Sequence, residues 1–274
     1  MNLLGIDFED WYHPELIQPH VKNMEKKPRV VNGLDKIINW LEKNNTSATF
    51  FFVGELLQKF PEMLDKILDN GHEIAFHTMH HTRIDTENFQ DKFDDEIKIF
   101  SKITSGKSKG FRAPSLSLNY KSSWVINSLE KNGYKYDSSI MPAKTPLYGV
   151  PDAELKPYII SAKSINKNDQ NGIITEFPLL TTKLLGWRIP AAGGFFLRSL
   201  PLYLIERAMK NYSENNIPSV FYIHSWELTP EFMPKLSLPF SSKFVTYYNL
   251  EKAFSKMDKL IKHFEFTSFE QFLK

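Results

Sequence analysis

The chain contains no cysteine. Disulfide staples, thiol nucleophiles and thiolate metal sites are excluded, so a transition metal held here has only His, Asp and Glu as ligands. A charge excess is also missing: 34 Lys and Arg against 32 Asp and Glu leave +2, too little to grip a nucleic-acid backbone. Long apolar runs are absent. The longest, 48–57, is interrupted by Glu55 and falls far short of the roughly 18 residues of a membrane span. Residues 1–6 lead straight into Asp7, Glu9 and Asp10, unlike a secretory leader. These absences predict a protein with no membrane span, located in the cytoplasm. No glycine-rich turn follows the first apolar run, which weakens the case for a nucleotide-binding, doubly wound sheet.

What is present is ordinary for a globular protein: 42% hydrophobic and 24% charged residues over 274 positions. At about 150 residues per domain the length suggests two, yet single α/β barrels reach this size. Short apolar runs at 2–8, 47–53, 73–76, 110–112, 136–138, 173–177 and 220–224 predict strands. Between them lie helical periods, such as Leu34, Ile37, Ile38 and Leu41 on one face of 33–44, and longer ones at 85–104, 201–216 and 249–264. Two stretches, 141–172 and 180–200, break the rhythm and predict irregular excursions. Seven or so βα units without a linker predict one α/β domain over residues 1–274, a distorted (β/α)7-type barrel.

Polar residues stand at the predicted strand ends: Asp7, Glu9 and Asp10, then His77, Arg112, Asp137, Glu176 and His224. In a parallel barrel those ends open onto one face, which predicts a shared mouth. The sharpest signal is His77-Thr78-Met79-His80-His81. On a helical turn the i, i+4 pair His77 and His81 would point the same way, and Asp10 would complete a facial metal set. The alternative is a solvated helix face. His80 reads as a neighbour, and His72 and His263 as surface histidines. The acidic knot at 7–10 needs a cation or donors to offset its burial, or else serves as a helix N-cap.

Together these residues resemble the polysaccharide deacetylases of the NodB-homology type, carbohydrate esterase family 4. Asp7-Phe8-Glu9-Asp10-Trp11-Tyr12-His13, Phe111-Arg112-Ala113-Pro114-Ser115, Tyr148-Gly149-Val150-Pro151-Asp152-Ala153 and Tyr222-Ile223-His224-Ser225-Trp226-Glu227 resemble the branch found with bacterial exopolysaccharide or exosortase genes. The resemblance implies a NodB-like barrel that hydrolyses N-acetyl groups of sugars with a divalent metal, usually zinc, with cobalt or manganese as alternatives. It implies Asp10, His77 and His81 as ligands, Glu9 as base oriented by Arg112, Asp137 as part of a fourth motif, and His224 as general acid. Asp7 rivals Glu9 as base, because residues 7 and 9 share one side of a regular strand. Ser115 would offer a backbone N–H to the oxyanion. Trp11, Tyr148, Trp187 and Trp226 would wall the sugar site, with Ile223 and Tyr120 as further candidates. The partner implied is an N-acetylated glycan, polymeric or lipid-linked. A silent glycan-binding relative and a metal-dependent phosphoesterase are the rival readings.

Overall fold

The computed structural model describes residues 1–274. Its strands are β1 (Asn2–Phe8), β2 (Thr49–Phe52), β3 (Glu73–Phe76), β4 (Gly110–Phe111), β5 (Tyr136–Asp137), β6 (Tyr158–Ile160), β7 (Ile174–Glu176), β8 (Thr181–Leu184), β9 (Trp187–Pro190), β10 (Val220–His224) and β11 (Phe266–Thr267). Nine form one curled sheet in the order β10-β1-β2-β3-β4-β5-β7-β6, with β11 also beside β1. All these pairings are parallel except that of β6 with β7. Strands covered on both faces read as continuous apolar runs, and Thr49-Phe50-Phe51-Phe52 is buried throughout.

The sheet closes on itself through the stretch expected to be irregular. Leu180 donates to the Val220 carbonyl at 3.0 Å, and Tyr222 donates to the Ala192 carbonyl at 2.7 Å. Between these contacts β8 and β9 pair as an antiparallel hairpin. The result is the expected α/β barrel, distorted where the hairpin replaces a regular strand. The predicted helices are present but shorter, as with Gln90–Ile103 for 85–104 and Leu202–Glu214 for 201–216. The main apolar core runs from Leu3 to Phe269. No helix is long and apolar enough to cross a membrane.

His72, expected at the surface, is 7% exposed with its ring 5.5 Å from that of Phe50, and neither ring nitrogen has a hydrogen-bond partner. It directly precedes β3 and is carried into the core with it. Burial lowers its pKa to about 4. A histidine depressed in the folded state contributes its full stability above its unfolded pKa of about 6.5 and loses it as pH falls toward 4. Urea melts are expected to show wild type losing about 2 kcal/mol more than His72→Phe between about pH 7 and about pH 5. Equal losses in the two proteins would discard this account.

Candidate active site

The loop after β3 brings two histidines together without a helical turn. Thr78 and His81 adopt left-handed backbone at φ 56° and 54°, which for the β-branched Thr78 is unusual. The loop is held in that path by neighbours. Gly54 N–H donates to the Thr78 carbonyl, Glu55 N–H to the Met79 carbonyl (both 2.9 Å), and Met79 N–H to Glu96 Oε2 at 2.8 Å. His80 points outward and pairs with Glu55, as a neighbour would.

Glu9, rather than Asp10, meets these histidines. One donor atom each from Glu9, His77 and His81 lies within 4.8 Å of the others, all three residues being buried. Glu9 Oε1 accepts from Trp226 Nε1 at 2.9 Å. Oε2 lies 2.7 Å from His81 Nε2, yet receives no hydrogen bond of acceptable geometry. His77 Nδ1 donates to the Arg112 carbonyl at 2.7 Å, leaving Nε2 as its free nitrogen. Burial works against the Glu9 carboxylate, but the His81 and His224 imidazoles hold its pKa well below the ordinary range. Burial lowers that of His77 to about 4, so its ring is neutral and able to ligate. A buried carboxylate oxygen without a donor, beside two imidazoles, fits a divalent cation of the zinc type. One feature departs from a fully supported ligand set: His81 Nδ1 is buried without a partner.

Asp10 is committed elsewhere. Its Oδ1 accepts from Trp11 N–H at 2.8 Å, and its Oδ2 from Arg29 and Val30 N–H at 2.7 and 2.9 Å. The cause is alternation along the chain, which keeps residues 7 and 9 on one side and turns residue 10 to the other. Ser225 secures this end of β1 to β10: its Oγ donates to the Glu9 carbonyl at 2.7 Å and accepts from Glu9 N–H at 3.1 Å.

Asp7 is the carboxylate that Arg112 holds. Nη1 donates to Asp7 Oδ1 at 2.7 Å, while Nε and Nη2 donate to the Ser138 carbonyl and hydroxyl at 2.8 and 2.9 Å. The guanidinium lies over the Phe51 ring, 3.9 Å from its centroid. Gly5 makes room for it, since a Cβ there would fall on the guanidinium nitrogens. Asp137 does not reach the mouth. It sits opposite Glu176 in the β5–β7 register, and burial raises the pKa of both carboxyls. Asp137 Oδ1 accepts from Ser139, whose Oγ also accepts from Ala113 N–H, so the pair supports the Arg112 loop from behind.

His224 ends β10 on the opposite side of Glu9, with Nε2 at 3.8 Å from Glu9 Oε1. Its Nδ1 meets Glu227 Oε2 at 2.7 Å, and Glu227 Oε1 accepts from the buried Arg198 Nε at 2.6 Å. Burial disfavours the imidazolium, but Glu227 outweighs it and the His224 pKa is pushed up to about 9. The ring stacks on Trp226 at 4.9 Å.

These groups open into a cavity of about 450 Å³. Ser115, Tyr148 and Trp226 line it as expected, Ser115 with left-handed backbone at φ 52°. Trp11 does not. Its ring is buried in a separate cluster with Tyr12 and Ile17, and its Nε1 donates to the Lys27 carbonyl. Trp187 lies at the β8–β9 hairpin, 78% exposed and away from the cavity. Tyr120 is exposed and bonded to Asp152, and Ile223 faces the core because its strand neighbours Tyr222 and His224 face the cavity.

Comparison with known proteins bears on family and fold. The polysaccharide deacetylase profile matches residues 24–136. A second profile, a domain of unknown function (DUF3473), matches residues 138–274, half of the chain. The chain belongs to the polysaccharide deacetylases of the NodB-homology type. Among relatives of this deacetylase family, the peptidoglycan deacetylase-like protein FGM2 of Gibberella zeae is 30% identical over 121 residues, 42% of this chain and 35% of the relative. The peptidoglycan deacetylase of Helicobacter pylori is 28% identical over 151 residues, 53% of this chain and 50% of the relative. The matches thus span a third to a half of those curated relatives. A Mycobacterium smegmatis structure, provisionally assigned as a polysaccharide deacetylase, superposes with TM-score 0.63 at 15% identity, covering 99% of this chain and 88% of that one. That likeness shows the fold.

The candidate site draws on both profiles, with His77, His81 and Arg112 from the first and His224 and Glu227 from the second. Sequence reasoning overlooked the buried Arg198–Glu227 pair. The His224-x-x-Glu227 spacing after a strand was a usable signal for Glu227, whereas nothing local marks Arg198. The Gly193-Gly194 stretch positions part of the cavity lining. Gly193 approaches the Tyr222 carbonyl too closely for any Cβ, and the helix Gly194–Ser199 that follows brings Phe195 and Phe196 to the lining.

Proposed function

We propose that the chain is a metal-dependent carbohydrate deacetylase, hydrolysing the N-acetyl amide of a sugar in a bacterial polysaccharide or its precursor to acetate and a free amine. The observation that carries this reading is that Asp7, paired with Arg112, and His224, paired with Glu227, line one cavity together with the Glu9, His77 and His81 cluster. Glu9, His77 and His81 would hold the divalent metal, zinc first and cobalt or manganese as alternatives. When bound, such an ion lowers the pKa of a water from about 15.7 to roughly 7.

Asp7 accepts the proton of the attacking water, its carboxylate aimed by Arg112. The Ser115 backbone N–H faces the oxygen on which charge develops, a contact typically worth roughly 10²–10³ in rate. His224, held protonated by Glu227, whose other oxygen Arg198 anchors, delivers the proton that lets the amine depart. Tyr148, Trp226 and the Phe195–Phe196 pair provide flat apolar walls against which a sugar face and an acetyl methyl can rest. Phosphate transfer is disfavoured, because no lysine lines the cavity and its one arginine, Arg198, is engaged by Glu227.

Acetate release from a panel of N-acetylated oligosaccharides tests the proposal. It is expected to stop on treatment with a chelator and to return on addition of zinc, cobalt or manganese. Phosphate release from a parallel panel of phosphate esters, without acetate release from the glycans, would support a phosphoesterase, and glycan binding with neither product would support a silent relative.

A further inference from the structure

The β8–β9 hairpin stands apart from the chemistry described above. Its tip reads Lys183-Leu184-Leu185-Gly186-Trp187-Arg188. Leu185 is 92% exposed, Trp187 78% and Leu184 41%. Large apolar side chains gathered at one projecting turn serve neither the core nor the cavity, and such exposure usually marks a binding surface. Lys183 and Arg188 flank the tip, and the ten residues Thr181–Pro190 contain no acid. In the loop that Arg188 contacts, the Asp152 carboxylate is engaged by Tyr120 and Asn166.

We propose that this tip is an interfacial anchor that inserts into an anionic lipid surface, its leucines entering the acyl boundary while Trp187 and the two cations sit among the headgroups. Tryptophan and cationic side chains around a small aliphatic point are the chemistry of the membrane–water interface. The two flanking positive charges complement anionic headgroups. A protein partner fits less well, because two leucines and one tryptophan on a two-stranded turn offer far less than the roughly 1,000 Å² of a stable interface. The hairpin is also tied to the cavity rim. Arg188 Nη1 donates to the Pro151 carbonyl at 3.5 Å, and the loop that carries Pro151 supplies Leu147 and Tyr148 to the lining. Across the cavity Phe240, 85% exposed, begins the helix Phe240–Tyr247, whose Ser241 and Val245 line it too.

The test is sedimentation of the full chain with phosphatidylcholine vesicles, with and without phosphatidylglycerol. Wild type is expected to partition onto the anionic vesicles. Leu185→Ser combined with Trp187→Ser should lower that partitioning by about tenfold or more. Lys183→Gln and Arg188→Gln should each lower it about fivefold on anionic vesicles only. Brominated lipid should quench a fluorescence component that Trp187→Phe lacks. All four positions are at the surface, and circular dichroism checks that each variant folds. Partitioning unchanged in the tip variants would overturn the proposal. So would a concentration-dependent dimer that the tip variants abolish without any vesicle binding by wild type, which would assign the tip to self-association.

Discussion

Glu9→Gln is expected to lose its divalent metal, while Asp10→Asn retains it. The two carboxylates are adjacent in sequence but opposite in surroundings. Glu9 offers an oxygen without a donor to the space shared with His77 and His81, whereas both oxygens of Asp10 are saturated by backbone N–H groups of Trp11, Arg29 and Val30. Removing one of the three proposed ligands should weaken metal affinity by on the order of a hundredfold or more, since even supporting residues cost tenfold to a hundredfold. Asp10→Asn instead exchanges an acceptor oxygen for an amide donor facing backbone N–H groups, at about 1–3 kcal/mol of stability. Metal content after dialysis, read beside the melting temperature, separates the two. Metal lost from Asp10→Asn and retained by Glu9→Gln would reverse the ligand assignment.

Asp7→Asn should lower turnover by roughly 10²–10⁴ with metal content unchanged. Asn cannot take up the proton of the attacking water, and Asp7 is the carboxylate that Arg112 orients. The substitution also leaves a buried guanidinium without its counter-charge, a loss of about 3–5 kcal/mol in comparable pairs. Turnover is therefore measured well below the variant's melting transition. Near-normal turnover in metal-loaded Asp7→Asn would return the base role to another group.

Much of the fold was readable because local pattern and burial coincide. The aromatic run at 49–52 could only be a strand covered on both faces, and the apolar face of 34–43 could only be a helix packed on a sheet. The hairpin was not readable. Its tip is apolar yet exposed, so burial and hydropathy disagree there. His72 failed for the converse reason, a polar side chain drawn inside by the strand that follows it. In the site, His77, Arg112 and His224 were legible because each ends an apolar run, and His81 because of its spacing from His77. The choice among Asp7, Glu9 and Asp10 was left to strand alternation, which a sequence suggests but does not place against the His loop.

By itself the amino-acid order determined the barrel class, the absence of thiol chemistry and the set of strand ends from which a metal-dependent site could be assembled. Only the tertiary structure decided that Glu9 faces the histidines, that Asp7 takes Arg112, and that Arg198 reaches across from a distant helix to Glu227 behind His224. The physical reason is range. Periodicity and strand ends are properties of neighbouring residues, whereas a ligand set or a charge relay depends on which side chains, remote along the chain, are left facing one another once the sheet has curled and the core has packed.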